Sequence, residues 1–171
     1  MNRTTSLSRP IIEALYTEAL ILADEVRAEF AQGSATLPQS AGSALHIADH
    51  GSATPALLPH EAMARLALST EGLKTTTRMM HVLAWLLNQR AFFSGELTAK
   101  QVLRHGALPD DRVSDSDQVE LLGPDTRALI AETERLHSRI ARLDQAWRQG
   151  FDMGSPVRAF QRRIGQELGG I

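Results

Sequence analysis

Two pairs of residues in this chain stand at spacings that metal chemistry uses. Glu134 and His137 are three apart, so a helix would turn both to one side. A carboxylate-bridged di-iron bundle needs two such pairs and two further glutamates, all pointing inward. Here there is one pair, and His81, the next candidate, has Arg78 where its glutamate should stand. The pair therefore reads as a surface ion pair with a histidine at the rim. His46 and His50 are four apart, the spacing of two ligands on one helix. The residues between them, Ile47-Ala48-Asp49, lack the glutamate of a metalloprotease motif, and the segment has no helical period. A solvated loop fits it better, because too few fixed ligands converge.

Other routes to catalysis are closed or unmarked. The chain has no cysteine, which excludes disulfides, thiol chemistry and thiolate-bound zinc or iron–sulfur centres. It has no G-x-S-x-G, no phosphate loop and no G-x-G-x-x-G. Nucleophilic catalysis would need a Ser or Thr with a positioned base, and the spacing suggests none. The expectation is a protein that is not an enzyme, with no catalytic, metal or cofactor-binding residue and no cofactor.

Polar and aromatic residues grouped on one segment are better suited to binding. Thr75, Thr76 and Thr77 lie together before Arg78, although β-branched residues cost a few tenths of a kcal/mol each inside a helix. Thr77 can bond its hydroxyl to a carbonyl one turn back, whereas Thr75, Thr76 and Arg78 offer a polar patch. Gln89 and Arg90 add hydrogen-bonding heads, and Trp85, Phe92 and Phe93 an apolar surface. The candidate partner-binding residues are thus Thr75, Thr76, Arg78, Trp85, Gln89, Arg90, Phe92 and Phe93. With these accessible, Arg78→Ala or Gln89→Ala should weaken binding at an unchanged melting temperature.

These residues need a long helix to hold them. From Glu71 to Thr98 there is no proline, and the glycines, Gly72 and Gly95, lie near the ends. Leu66, Leu73, Met80 and Leu87 recur every seven residues, as do Met63, Thr70, Thr77, Ala84 and Ala91. Two such series make one stripe, expected to be the seam against other helices. Met79, Val82, Leu83, Trp85 and Leu86 make the other side apolar as well. The spacing predicts a central spine over about 60–93, on the order of 50 Å long at ~1.5 Å per residue.

Around it, a first helix is predicted over 10–32, with Ile11, Leu15, Ala19, Leu22 and Val26 buried and Gly33 as its stop. Residues 33–59 are rich in Gly, Ser, Ala and Pro and read as a flexible linker. Thr98 and Gln101 fit a capping box for a short helix ending near His105. The acidic stretch 107–123 reads as solvated loop. A further long helix is predicted over 124–149, with Leu129, Leu136, Leu143 and Thr133, Ile140, Trp147 as its seam. Residues 154–169 read as a short C-terminal amphipathic helix. The expected fold is all-α: one domain over 1–171, an up-down bundle of three long helices and two short ones that forms dimers.

Composition fits this. The chain has 171 residues, 43% hydrophobic and 22% charged, enough to bury a core. A net charge of -2 gives little drive towards nucleic acid or anionic membrane. Arg158, Arg162 and Arg163 form only a small basic edge. No signal-peptide core opens the chain, and no apolar run approaches the ~20 residues of a spanning helix. The expected location is the cytoplasm, with no nucleic-acid or membrane partner.

Three blocks on the spine, Thr75-Thr76-Thr77-Arg78-Met79-Met80, Ala84-Trp85-Leu86-Leu87-Asn88-Gln89-Arg90-Ala91 and Gly95-Glu96-Leu97-Thr98, resemble the signature of the RcdA family. A second matching stretch runs from Glu134-Arg135-Leu136-His137 through Ile140-Ala141-Arg142-Leu143-Asp144. The resemblance implies a dimer-forming helical adaptor that helps the ClpXP protease receive cell-cycle regulators such as CtrA, with CpdR-like and PopA-like partners. The expected partners are a second copy of the chain, ClpXP-associated proteins and their protein substrates. A DNA- or transcription-associated helical regulator is one alternative, and a metal-dependent bundle enzyme working through Glu134 and His137 another.

Overall fold

The computed structural model describes residues 8–35 and 59–154. They form five helices: α1 (Arg9–Ala35), α2 (Pro59–Phe93), α3 (Ala99–His105), α4 (Ser116–Glu120) and α5 (Pro124–Gly154). Three are long, two are short, and no strand occurs among the described residues. The all-α bundle expected from the sequence is the fold. Most of the predicted linker, and all but the first residue of the predicted C-terminal helix, lie outside the described residues.

Helix α1 buries Ile12, Leu15, Ala19, Leu22 and Val26, each 5% exposed or less. The spacing had offered Ile11 for the first of these. Ile12 takes the place, because it lies one and two turns from Leu15 and Ala19 on the same face, and Ile11 is 38% exposed. Gly33 does not stop the helix, which runs on to Ala35. Helices α1 and α2 are antiparallel. At one end a Cβ on Gly72 would fall 2.7 Å from the ring of Phe30, so glycine is what lets the two backbones close there. At the other end Arg90 reaches Glu13 and lies 4.3 Å over the ring of Tyr16.

The core between them takes Met79, Val82, Trp85 and Leu86 from α2, and Leu136 and Ile140 from α5. Leu129 and Leu143 pack on it from the side. The predicted series on α5 is therefore the inner seam it was expected to be. A smaller cluster of Ala67, Leu122 and Ile130 closes the opposite end.

Helix α2 ends at Phe93, and just beyond it Gly95 takes a left-handed φ of 82° while the amides of Glu96 and Leu97 both donate to the carbonyl of Ala91. Helix α3 opens on the predicted capping box. Thr98 Oγ1 accepts from the Gln101 amide, and Gln101 Oε1 accepts from the Thr98 amide. The second short helix is α4, inside the stretch expected to be a solvated loop. Asp115 caps it by accepting from the amide of Asp117 at 3.0 Å.

Candidate functional site

Helix α2 has an inner face studded with polar groups. Glu71, Thr75, Arg78, Trp85 and Gln89 follow one another at spacings of four, three, seven and four, so they line one side. All five are at most 1% exposed. Arg78 is the centre. Its Nε donates to both oxygens of Asp111 at 2.8 and 2.9 Å, and its Nη1 to Thr133 Oγ1 at 2.8 Å. Its Nη2 donates to the carbonyl of Arg112 at 3.1 Å and to Glu134 Oε1 at 3.2 Å. One Nε–H is shared between the two oxygens of Asp111 while the two Nη groups reach separate partners, so the planar guanidinium spreads its donors over several groups as a lysine ammonium could not. A buried charge of this kind persists only because its donors are filled.

Two other carboxylates repeat the pattern. Glu71 accepts from Lys74 Nζ at 2.8 Å and from the amide of Asp115 at 3.2 Å. Asp144 accepts from Trp85 Nε1 at 2.9 Å, from the amide of Leu108 at 3.3 Å and from Arg148. Glu134 also accepts from the amide of Ser114, and His137 Nε2 shares a hydrogen with the carbonyl of Pro109 at 3.1 Å. Leu108, Pro109, Asp111, Arg112, Ser114 and Asp115 thus each hold a partner on α2 or α5. The stretch expected to be acidic and solvated does expose Asp110, Asp115, Asp117 and Glu120, but it is also a strap fastened across α2 and α5, from which Asp111 turns inward to neutralise Arg78.

The expected roles of Glu134 and His137 change accordingly. Glu134 is a partly exposed ion-pair partner of Arg78, but His137 is buried, at 5% exposure, rather than at the rim. Beside the strap is a cavity of about 490 Å³, lined by Pro109, Asp110, Asp111, His137, Asp144 and Arg148 among others. Asp111, His137, Asp144 and Arg148 are already engaged in holding the strap. Among the described residues, no three metal-ligating side chains are close enough to share an ion.

The outer face of α2 is the reverse. Between Ala62 and Ala91 every exposed residue on this helix is uncharged: Ala62, Met63, Leu66, Ser69, Leu73, Thr76, Met80, Ala84 and Leu87. Met63, Leu66, Leu73, Met80 and Leu87 are 48–69% exposed. Arg65, Glu71, Lys74, Arg78 and Arg90 are all buried or half-buried. The heptad stripe expected to pack inside the bundle thus lies outside it. The inner surface of α2 is fully used by α1, α5 and the strap, so a second apolar stripe has nothing left within the described chain to cover it.

Of the eight candidate partner-binding residues, Thr75, Arg78, Trp85 and Gln89 are in the interior. Their burial takes them off the surface of the folded chain. Arg90 is engaged with Glu13 and Tyr16. Phe92 and Phe93 are half-buried, edge-on to each other at 5.3 Å, with Phe92 edge-on to Trp147 at 5.7 Å. Thr76 alone looks outward beside the apolar stripe. Leu66, Leu73, Met80 and Leu87, expected in the inner seam, are surface residues instead. The sign available beforehand was that their line carries no charge in a chain where 22% of residues are charged.

None of the helices among the described residues is long and apolar enough to cross a membrane. No curated protein matches the chain significantly. No solved structure does so either. Residues 3–168 match the model of a family described as "Protein of unknown function (DUF1465)", and the chain belongs to that family.

Proposed function

We propose that this protein is a non-catalytic interaction scaffold, an RcdA-like adaptor that assists regulated proteolysis of cell-cycle regulators by ClpXP and works as a homodimer in the cytoplasm. The observation that carries the scaffold reading is the uncharged outer line of α2. Soluble monomers rarely leave an apolar patch larger than a few hundred Å² in water, and this one runs along a rigid helix of 35 residues. The RcdA reading rests on the resemblance of the spine and Glu134–Asp144 blocks. An adaptor needs no chemistry of its own, since holding substrate near the protease raises its effective concentration. The engaged state of the polar groups around Arg78 and Asp144 supports a structural use of those residues.

Reconstitution tests the adaptor role. Purified ClpX and ClpP, CpdR-like and PopA-like partners and a CtrA-like substrate are combined with and without the chain. Faster substrate loss with the chain present, reversed by Leu73→Asp, is the expected result. An unchanged degradation rate over a stoichiometric titration would remove the adaptor function.

A further inference from the structure

We infer that the inner face of α2 binds a water molecule, held between Glu71 Oε2 and Thr75 Oγ1 with Gln118 Oε1 of α4 as its third partner. The inference is independent of the adaptor reading and adds a ligand to the polar line of α2.

Three orphaned oxygens carry it. Glu71 and Thr75 are both 0% exposed and stand one turn apart on the same face of α2. Glu71 Oε1 is filled by Lys74 Nζ and the amide of Asp115. Its Oε2 is buried and has no hydrogen-bond partner among the described residues. The same holds for Thr75 Oγ1. A threonine inside a helix can return its hydroxyl to a carbonyl of the preceding turn. Thr17 does so to Glu13, and Thr133 to Ile130. Thr75 makes no such bond, so its hydroxyl is left for another group. The third oxygen belongs to Gln118, whose Nε2 turns to Asp115 while Oε1 stays buried and unpartnered among the described residues. Gln118 lies one turn beyond Asp115, whose amide sits on Glu71, so α4 brings it to the same end of α2.

The chemistry of the three selects water. The carboxylate oxygen and the amide oxygen only accept, whereas the hydroxyl can donate. A water molecule has two hydrogens for the acceptors and a lone pair for the hydroxyl. Those three bonds are about what a water inside a protein makes. A calcium-like ion takes six or more oxygens, and Lys74 already stands 2.8 Å from Glu71 Oε1. A direct bond from Thr75 to Glu71 would satisfy two of the oxygens and strand Gln118, and buried polar groups are rarely left so. The bound water would also hold the Glu71 carboxylate on the amide of Asp115, which ties α4 to α2 at the end of the strap.

A crystal structure of the full chain, at a resolution that shows ordered water, tests the site directly. The expected result is a density peak about 2.7–3.2 Å from both Glu71 Oε2 and Thr75 Oγ1. No peak, with Thr75 bonded straight to the Glu71 carboxylate or back to its carbonyl, overturns the inference. In solution, oxygen-17 relaxation dispersion counts long-lived waters and is blind to hydroxyl groups of the protein. Thr75→Val keeps the shape and removes the hydroxyl, and should lower the count by one molecule at an unchanged helical spectrum. Thr75→Ser keeps the hydroxyl and should leave the count as in the unmodified chain. Equal counts in all three overturn the site, and so does a loss in Thr75→Ser as large as that in Thr75→Val.

Discussion

The two faces of α2 invert the usual order of a surface helix, in which charge faces water and apolar groups face the core. The inner face holds Glu71, Arg78 and Gln89 among Met79, Val82 and Leu86, and the outer face exposes Leu66, Leu73 and Met80 without a single charge. Arg78 is held by Asp111 and the carbonyl of Arg112 in the strap, and Glu71 by Lys74 and the strap's Asp115 amide. The outer side chains are satisfied by nothing in the described chain. A helix can therefore carry its polar work inside and its adhesive surface outside, provided that a segment brings partners to the buried groups.

Breaking the inner face should have the largest effect. Arg78→Met leaves Asp111 and Glu134 without their cation, and loss of one member of a buried ion pair costs about 3–5 kcal/mol. The urea midpoint should fall accordingly at an unchanged slope. A loss below about 1 kcal/mol, within the range of exposed pairs, would mean that the inner face is not the stabilising one. Arg78→Ala should lower the melting temperature as well, contrary to what the sequence suggests, because the side chain is 1% exposed.

Asp144→Ala comes next. It strands the buried Trp85 Nε1, together with the amide of Leu108, at a cost of about 2–3 kcal/mol. A double-mutant cycle with Trp85→Phe should return a coupling of about 1 kcal/mol. Additive losses would show that the 2.9 Å bond contributes nothing. Gln89→Met should act in the opposite direction. Both polar atoms of the Gln89 amide lie buried without a hydrogen-bond partner among the described residues, so an apolar side chain of similar length should raise stability by about 1 kcal/mol. A lower melting temperature would refute that.

The smallest effect on folding belongs to the outer face. Leu73→Asp, at a position 69% exposed, should change the stability of the dilute chain by less than about 0.5 kcal/mol while abolishing self-association. Met80→Asp should behave alike. Were either to unfold the dilute chain, the two faces would have been assigned the wrong way round.

Particular residues show what could be read beforehand. The ends of α2, the Thr98–Gln101 box and the α5 seam followed from spacing and caps, which act over one turn. The two heptad lines of α2 are legible as well, but a period does not say which side a helix turns inward. Leu66 and Leu73 satisfy an inner seam and an intermolecular one equally well. The inward turn of the strap is hidden in the sequence for a related reason. Asp110, Asp111, Asp115 and Asp117 read as solvent-seeking charge, because nothing local reveals that Arg78, thirty-three residues before Asp111, will lie against it. Charge pairing at long range is legible only once the helices are placed.

The strap's mode of attachment has a kinetic consequence. The amides of Leu108, Ser114 and Asp115 belong to no helix interior and donate to side-chain carboxylates on α5 and α2. Their deuterium uptake should thus record unfastening of that crossing separately from melting of the helices. Three backbone protons become a gauge of how often the Arg78 guanidinium is uncovered while the rest of the chain stays folded.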